Sequence, residues 1–205
     1  RDRGQLKKIG NLYVYPVYHP AAGLRNGNFR KALREFVSSE SNDLILDLRG
    51  NPGGYLEAAI EISSWFLPAG KPIVQEDFGT GENKILRSKG YNIFDDNLNM
   101  VILVNRGSAS ASEIVAGALS EHDVATVVGT QTFGKGSVQE LVSVNDETSL
   151  KVTIARWLTP NGRSISDGGL APDVQASAED LPEDSTVDDV FDYQFEKALE
   201  VLRNN

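Results

Sequence analysis

Three short runs of the chain are almost uninterrupted in apolar residues: Asp43-Leu44-Ile45-Leu46-Asp47-Leu48, Met100 to Val104, and Ala125 to Val128. Runs of that length, bounded by turn residues, predict strands buried on both faces. Between and around them the apolar residues recur three and four apart, which predicts helices. Asn28 to Ser39 places Phe29, Leu33, Phe36 and Val37 on one face. Tyr55 to Leu67 turns Leu56, Ala59, Ile60 and Trp65 inward, and Ala111 to Leu119 follows the second buried run. Asp188 to Leu202 closes the chain as a helix with Phe191, Phe195, Leu199 and Leu202 on one side.

Leu12 to Tyr18 is aromatic and β-branched and predicts a strand, with Pro16 marking an edge or a bulge. Residues 70–99 are less regular, with strand-like pieces around Pro72-Ile73-Val74-Gln75 and Ile85-Leu86-Arg87 on either side of Gly79-Thr80-Gly81. Val138 to Val144 and Leu150 to Trp157 predict an antiparallel pair joined at Asn145-Asp146-Glu147. Buried strands each followed by a loop and a helix imply a layered α/β sheet. In such sheets the functional loops sit at the carboxyl ends of the strands. Three loops share that position: 49–54, 105–111 and 130–136. No internal repeat or low-complexity tract interrupts the pattern.

The length suits a single domain over 1–205, able to bury a core without staples. A net charge of −9 argues against a nucleic-acid partner. Much of that charge lies between Asp167 and Asp192, where nine acids stand without a Lys or Arg. The simplest reading of that stretch is a solvated loop. Cysteine is absent, which removes disulfides, thiol nucleophiles and thiolate metal sites together. No apolar run reaches the ~20 residues of a membrane span. The chain starts at Arg1, without an initiator methionine or signal-like segment, and reads as a fragment or processed form.

The chemistry-bearing residues concentrate in the three loops. Gly107-Ser108-Ala109-Ser110-Ala111-Ser112-Glu113 is a small-residue turn at a strand-to-helix junction. Its glycine and alanines permit a tight turn and close approach of a substrate backbone. The amide after a nucleophilic serine, here that of Ala111, commonly faces the oxyanion position, and the helix amino terminus favours negative charge there. Ser108, Ser110 and Ser112 compete for the role, and helix capping accounts equally well for any one of them. Lys135 follows Ser110 by 25 residues, between Gly134 and Gly136 and close to Phe133. A lysine buried among apolar groups is more easily neutral and can then take a serine proton. The bland alternative is an exposed lysine in a glycine turn. Gln139 either orients the lysine or is a plain strand residue. Gly50-Asn51-Pro52-Gly53-Gly54 offers free amides at Gly53 and Gly54 for an oxyanion hole, or is simply a strand-to-helix turn.

Rival chemistries fit poorly. The only histidines are His19, in a Tyr-His-Pro turn, and His122, at a polar helix end. Neither suggests a Ser–His–Asp triad, and two lone histidines make a poor metal site. Asp43 and Asp47 share one strand face, which strand-end charge explains. The phosphate-loop pattern fails because Gly136, not Ser or Thr, follows Lys135.

Taken in order, five segments resemble the peptidase core of the C-terminal processing peptidases, also called tail-specific proteases. They are Asp47 to Gly54, Ser108 to Ile114, Val127 to Gly129, Thr132 to Gln139, and Thr159 to Ile165. Gly169 to Val174 extends the likeness, which runs from about Ile9 to about Val174 and leaves 175–205 as an acidic loop and terminal helix. The resemblance implies a crotonase-like α/β fold of the caseinolytic-peptidase and crotonase type. It implies Ser110 as nucleophile, Lys135 as base, Gln139 as an auxiliary one helical turn beyond it, and oxyanion amides from Ala111 and the Gly53/Gly54 turn. It implies a serine endopeptidase acting through an acyl-enzyme near the carboxyl tails of proteins, with no metal or cofactor. The expected substrates are unstructured tails bound as an added strand, and homo-oligomerisation stays open. An extracytoplasmic location follows in the same way (periplasm, envelope or lumen), with membrane association through a segment preceding Arg1.

Two departures qualify the likeness. The PDZ domain usual in the family has no room in this chain. An aspartate sometimes found eleven residues after the serine is Glu121 here and receives no catalytic role. Two other readings stay open: a resting peptide-binding core that depends on a missing domain or partner, and an acyl-thioester enzyme of the crotonase group, which needs no Ser–Lys pair.

Overall fold

The structure is a computed structural model and describes residues 7–9, 12–16, 28–39, 41–94 and 97–204. The central sheet has six strands in the order β1-β2-β3-β6-β7-β10. These are β1 (Lys7–Ile9), β2 (Leu12–Pro16), β3 (Asp43–Asp47), β6 (Asn99–Val104), β7 (Thr126–Gly129) and β10 (Val174–Gln175). From β2 to β10 every neighbouring pair is parallel, and β1 adds antiparallel at the edge. Four further strands make a separate antiparallel sheet, ordered β5-β4-β9-β8: β4 (Pro72–Asp77), β5 (Asn83–Arg87), β8 (Ser137–Ser143) and β9 (Ser149–Leu158).

Among the described residues the α-helices are α1 (Asn28–Val37), α2 (Leu56–Phe66), α3 (Ala111–Glu121) and α4 (Val187–Asn204). The near-continuous apolar runs are explained by cover on both faces of the central sheet. Leu44, Leu46, Ile102, Val104 and Val127 pack into one core with α1, α2 and α3. The alternate residues Ile45, Val101, Leu103 and Val128 pack into a second core with α4. A period of two along each strand divides each run between the two layers. The layered α/β expectation and its crotonase-like form hold.

Several details differ from the sequence reading. In α2 the buried residues are Ala58, Ala59, Ile62, Ser63, Ser64 and Phe66, while Leu56, Ile60 and Trp65 are only partly covered. In α1, Leu33 and Phe36 are buried but Val37 is exposed. In α4 the buried stripe is Gln194, Ala198 and Leu202, with Phe195 and Leu199 at its margin. A helix packed on a twisted sheet buries the row nearest the strands, and small or amide residues take the tightest places. The acidic stretch is ordered where described. Ser177 caps a short 3-10 turn at Ala178–Asp180, and Thr186 and Asp189 exchange capping hydrogen bonds at the start of α4. The Thr186 hydroxyl, and after it the Thr186 amide, donates to Asp189 Oδ2, which lowers the pKa of that carboxyl from its usual value. His19 lies outside the described residues, as does the side-chain face expected of Phe29. Among the described residues no helix is long and apolar enough to cross a membrane.

Candidate active site

The carboxyl ends of β3, β6 and β7 lie side by side, in register Leu46–Ile102–Val127 and Asp47–Leu103–Val128. Parallel pairing therefore brings the glycine loop, the serine loop and the lysine loop to one edge of the sheet. What locks them together is a set of polar contacts, most of them to backbone.

The glycine and serine segments are joined by four hydrogen bonds, and a fifth, from Gly107, braces the serine loop itself. Asn105 Oδ1 accepts from the amides of Gly50 and Gly107, each at 2.9 Å. The Asn51 carbonyl accepts from Ala109 N at 3.0 Å and from Ser112 Oγ at 3.2 Å. Ser108 Oγ donates to the Leu48 carbonyl at 2.8 Å. Asn51, Ser108 and Ser112 are all buried. Buried hydroxyls must find acceptors, and here Ser108 and Ser112 spend theirs holding the turn. The three serines are thereby separated in kind. Ser110, half-buried between them, has φ 56° and ψ −118°. That left-handed φ is costly for a side-chain-bearing residue and occurs where the surroundings impose it. It matches the strained strand-to-helix turn on which nucleophilic serines are presented.

Gly53 explains how the strain is held. Its φ is 93°, and a Cβ placed there would meet Ala109 O at 2.4 Å and Ser110 Cβ at 2.7 Å. Only glycine lets the two backbones approach so closely. The Gly53 amide, however, donates to Asn51 Oδ1 at 3.0 Å. Of the two amides expected to bind an oxyanion on this loop, that of Gly54 is the one with no recorded partner among the described residues. The Ala111 amide, at the first position of α3, is likewise without one. The Gly53 contribution is close approach.

The lysine loop is fastened through Glu113. This glutamate is fully buried, and its carboxylate takes four donors. Oε1 accepts from Thr132 Oγ1 at 2.6 Å and from Gly134 N at 2.7 Å. Oε2 accepts from Ser110 N at 2.7 Å and from Lys135 N at 3.0 Å. Phe133 N also donates to the Ser108 carbonyl at 3.0 Å. The backbone amides of Ser110 and Lys135 thus share a single oxygen atom. Glu113 was visible in the sequence only as a capping residue. The reciprocal contact of Glu113 on the Ser110 amide is indeed that of a helix cap, so capping and site building coincide.

Behind the lysine loop lies the segment 159–170, another feature whose purpose the sequence did not disclose. Thr132 N donates to the Leu170 carbonyl, and Leu170 N donates to Thr132 Oγ1. Trp157 N donates to Gly136 O. Gly134 and Gly136 pack so tightly on residues 165–169 that a Cβ at either would fall within 3 Å of backbone there. The glycines flanking Lys135 thus serve this backing contact.

The lysine side chain itself departs from expectation. Lys135 is exposed, and the neighbouring Phe133 is 61 % exposed, so no apolar burial surrounds the ammonium. Gln139 lies on β8 beside a register shift at Val138/Gln139, and is exposed. It stands on a strand, where four residues do not make a helical turn. No side-chain hydrogen bond of Lys135 or Gln139 is recorded among the described residues. A strand, not a helix, follows Gly134-Lys135-Gly136, which removes the helix amino terminus a phosphate loop requires.

The remaining candidates are structural. His122 sits at the far end of α3, with Nε2 2.7 Å from the Pro72 carbonyl. Glu121 pairs with Arg163 at 2.9 Å and accepts from Asn161 N. Asp47 pairs with Arg49 at 2.8 Å, and Asp43 accepts from Asn99 Nδ2. Arg49 also donates to the Phe191 carbonyl and to Gln194 Oε1, and lies over the Phe191 ring, tying α4 to the start of the glycine loop. Among the described residues no cluster of His, Asp and Glu could hold a metal.

The α/β sheet thus presents a strained serine turn beside a lysine loop. The model of peptidase family S41 matches residues 17–176, and the chain belongs to that family. It is 40% identical over 152 residues to the carboxy-terminal processing protease CtpB of Bacillus subtilis, covering 72% of this chain and 30% of that protein. It is 37% identical over 175 residues to carboxyl-terminal-processing peptidase 3, chloroplastic, of Arabidopsis thaliana, covering 85% of this chain and 33% of the relative. The chain therefore spans about a third of the length of these relatives. Among solved structures, a photosystem II D1 C-terminal processing protease superposes with a TM-score of 0.71 at 32% identity, over 89% of this chain and 47% of that one.

Proposed function

We propose that this chain is the catalytic core of a serine endopeptidase that cleaves proteins near their carboxyl tails, with Ser110 as nucleophile and Lys135 as base. The observation that carries this reading is the division of labour among the serines. Ser108 and Ser112 are consumed by buried backbone contacts, while Ser110 stands in a strained turn with its amide on the same oxygen as that of Lys135. The family and its carboxy-terminal processing relatives support the substrate class.

In the first step Ser110 Oγ bonds to the scissile carbonyl carbon and its proton passes to neutral Lys135 Nζ. The developing oxyanion takes hydrogen bonds from the amides of Ala111 and Gly54. The carbon–nitrogen bond then breaks, and the leaving amine takes the proton from Lys135. Water attacks the resulting ester, Lys135 accepts its proton, and Ser110 Oγ leaves with that proton as the acid product departs. No metal or cofactor enters. The exposed lysine must lose its water for this chemistry, and a bound peptide strand would supply that cover. On this reading the substrate strand contacts Gln139, which is exposed on β8 just beyond the lysine loop.

The test is intact-mass analysis after exposure to a fluorophosphonate, on wild type beside Ser110→Ala and Lys135→Ala. A single adduct on wild type, lost in both folded variants, is the expected result. An adduct that persists in Ser110→Ala removes the assignment. A folded wild type that takes no adduct favours the reading as a resting peptide-binding core, which the uncovered lysine motivates.

A further inference from the structure

We infer that Glu113 is a positioning residue that makes the nucleophile turn and the lysine loop one mechanical unit. The inference rests on the Ser–Lys reading for its catalytic meaning, but its physical content stands on geometry alone. One buried carboxylate accepts four hydrogen bonds, two on each oxygen. Three come from the lysine loop and one from the amide of Ser110. A buried carboxylate without such donors would carry a heavy desolvation cost. The two loops therefore satisfy Glu113 together, and neither can move away without leaving part of that charge uncompensated.

The arrangement dictates which replacements fail. Glutamine keeps the length and shape but replaces one oxygen by an amino group. Both oxygens face two donors, so either orientation of the amide sets N–H against N–H or O–H. Aspartate keeps the charge but is shorter by one methylene and cannot reach both loops at these distances. Thr132 gives a graded perturbation. Its hydroxyl donates to Glu113 Oε1 and accepts from Leu170 N. Thr132→Val removes both contacts at similar volume, and Thr132→Ser restores the hydroxyl.

Hydrogen exchange on the folded chain reads the coupling without needing any turnover. Exchange of segments 108–113 and 130–136 is compared in wild type, Glu113→Gln, Thr132→Val, Thr132→Ser and Ser110→Ala. Glu113→Gln is expected to lower protection in both segments, although the substitution lies in only one. Thr132→Val should do so to a smaller degree, with Thr132→Ser close to wild type. Ser110→Ala should leave both segments protected while abolishing fluorophosphonate labelling. That separates failure of the coupling from failure of the Ser–Lys assignment. In parallel, the acylation rate of folded Glu113→Gln is expected to fall roughly 100-fold, the scale of an ångström-sized misplacement. If Glu113→Gln does not fold, the Thr132 pair alone decides. Unchanged protection of 130–136 in Glu113→Gln, or in Thr132→Val where the former cannot be folded, overturns the inference.

Discussion

The serine loop and the lysine loop are anchored to the same carboxylate, yet they are prepared to different degrees. The serine loop is finished around its turn: Ser108 and Ala109 are buried, the strained Ser110 is fixed through its neighbours, and Gly53 leaves no room for adjustment. The lysine loop is finished only in its backbone. Its amides are held by Glu113 and its glycines by segment 159–170, but the Lys135 side chain and Phe133 project into solvent. A nucleophile must be aimed, and aiming is a backbone property that a folded core can fix beforehand. A lysine base must be dehydrated, and dehydration needs something to lie over it. The contrast teaches that this core fixes the backbone of both loops and leaves the Lys135 side chain uncovered; on the proposed Ser110–Lys135 reading, whatever covers that edge sets the electrostatics.

The sharpest way to break that comparison is Lys135→Arg. The site is open, so the larger side chain is accommodated and the fold is unaffected. A guanidinium stays charged and cannot take a proton. Peptide cleavage and fluorophosphonate labelling should both fall to background, with the thermal midpoint unchanged. Labelling at the wild-type rate would remove lysine from the chemistry.

A paired glycine experiment probes the serine side. Gly53→Ala places a Cβ on Ala109 O and Ser110 Cβ, whereas Gly50→Ala meets nothing within 4 Å. Both positions have positive φ, so both pay a backbone strain of about 1–2 kcal/mol. Only Gly53→Ala should displace Ser110, and on the proposed reading acylation should slow about 100-fold. Equal activity in the two variants would show that the Ser110 turn is not held by this contact.

A smaller effect is expected at Arg49, which links the glycine loop to α4. Arg49→Ala leaves Asp47 without its guanidinium and releases the Phe191 carbonyl and Gln194. The loss of charge-assisted bonds should cost about 2 kcal/mol, read as a lower denaturant midpoint and faster exchange in α4. A stable variant with α4 fully protected would show that the second core alone holds the helix.

Much of the molecule is legible in the chain because one residue's environment fixes it. The runs at Leu44–Leu46 and Met100–Val104 are apolar on both faces, so they can only be interior strands, and the loops that follow are then bound to share an edge. The three candidate loops follow from that alone, and the resemblance to a peptidase family points to Ser110 among the serines. What the chain could not disclose depends on contacts between residues far apart. Glu113 looks like a cap until Thr132, Gly134 and Lys135 are seen on the same carboxylate. Gly53 looks like an amide donor until Asn51 takes its N–H and its Cα is found against Ser110. Lys135, between glycines and near Phe133, reads equally as a buried base or an exposed turn lysine until the glycines are seen to face segment 165–169 and the side chain to be exposed. Local pattern determines which residues turn inward and where the chain bends. Only the tertiary structure decides which donor meets which acceptor and which surface is left uncovered, because those are outcomes of close packing between distant segments.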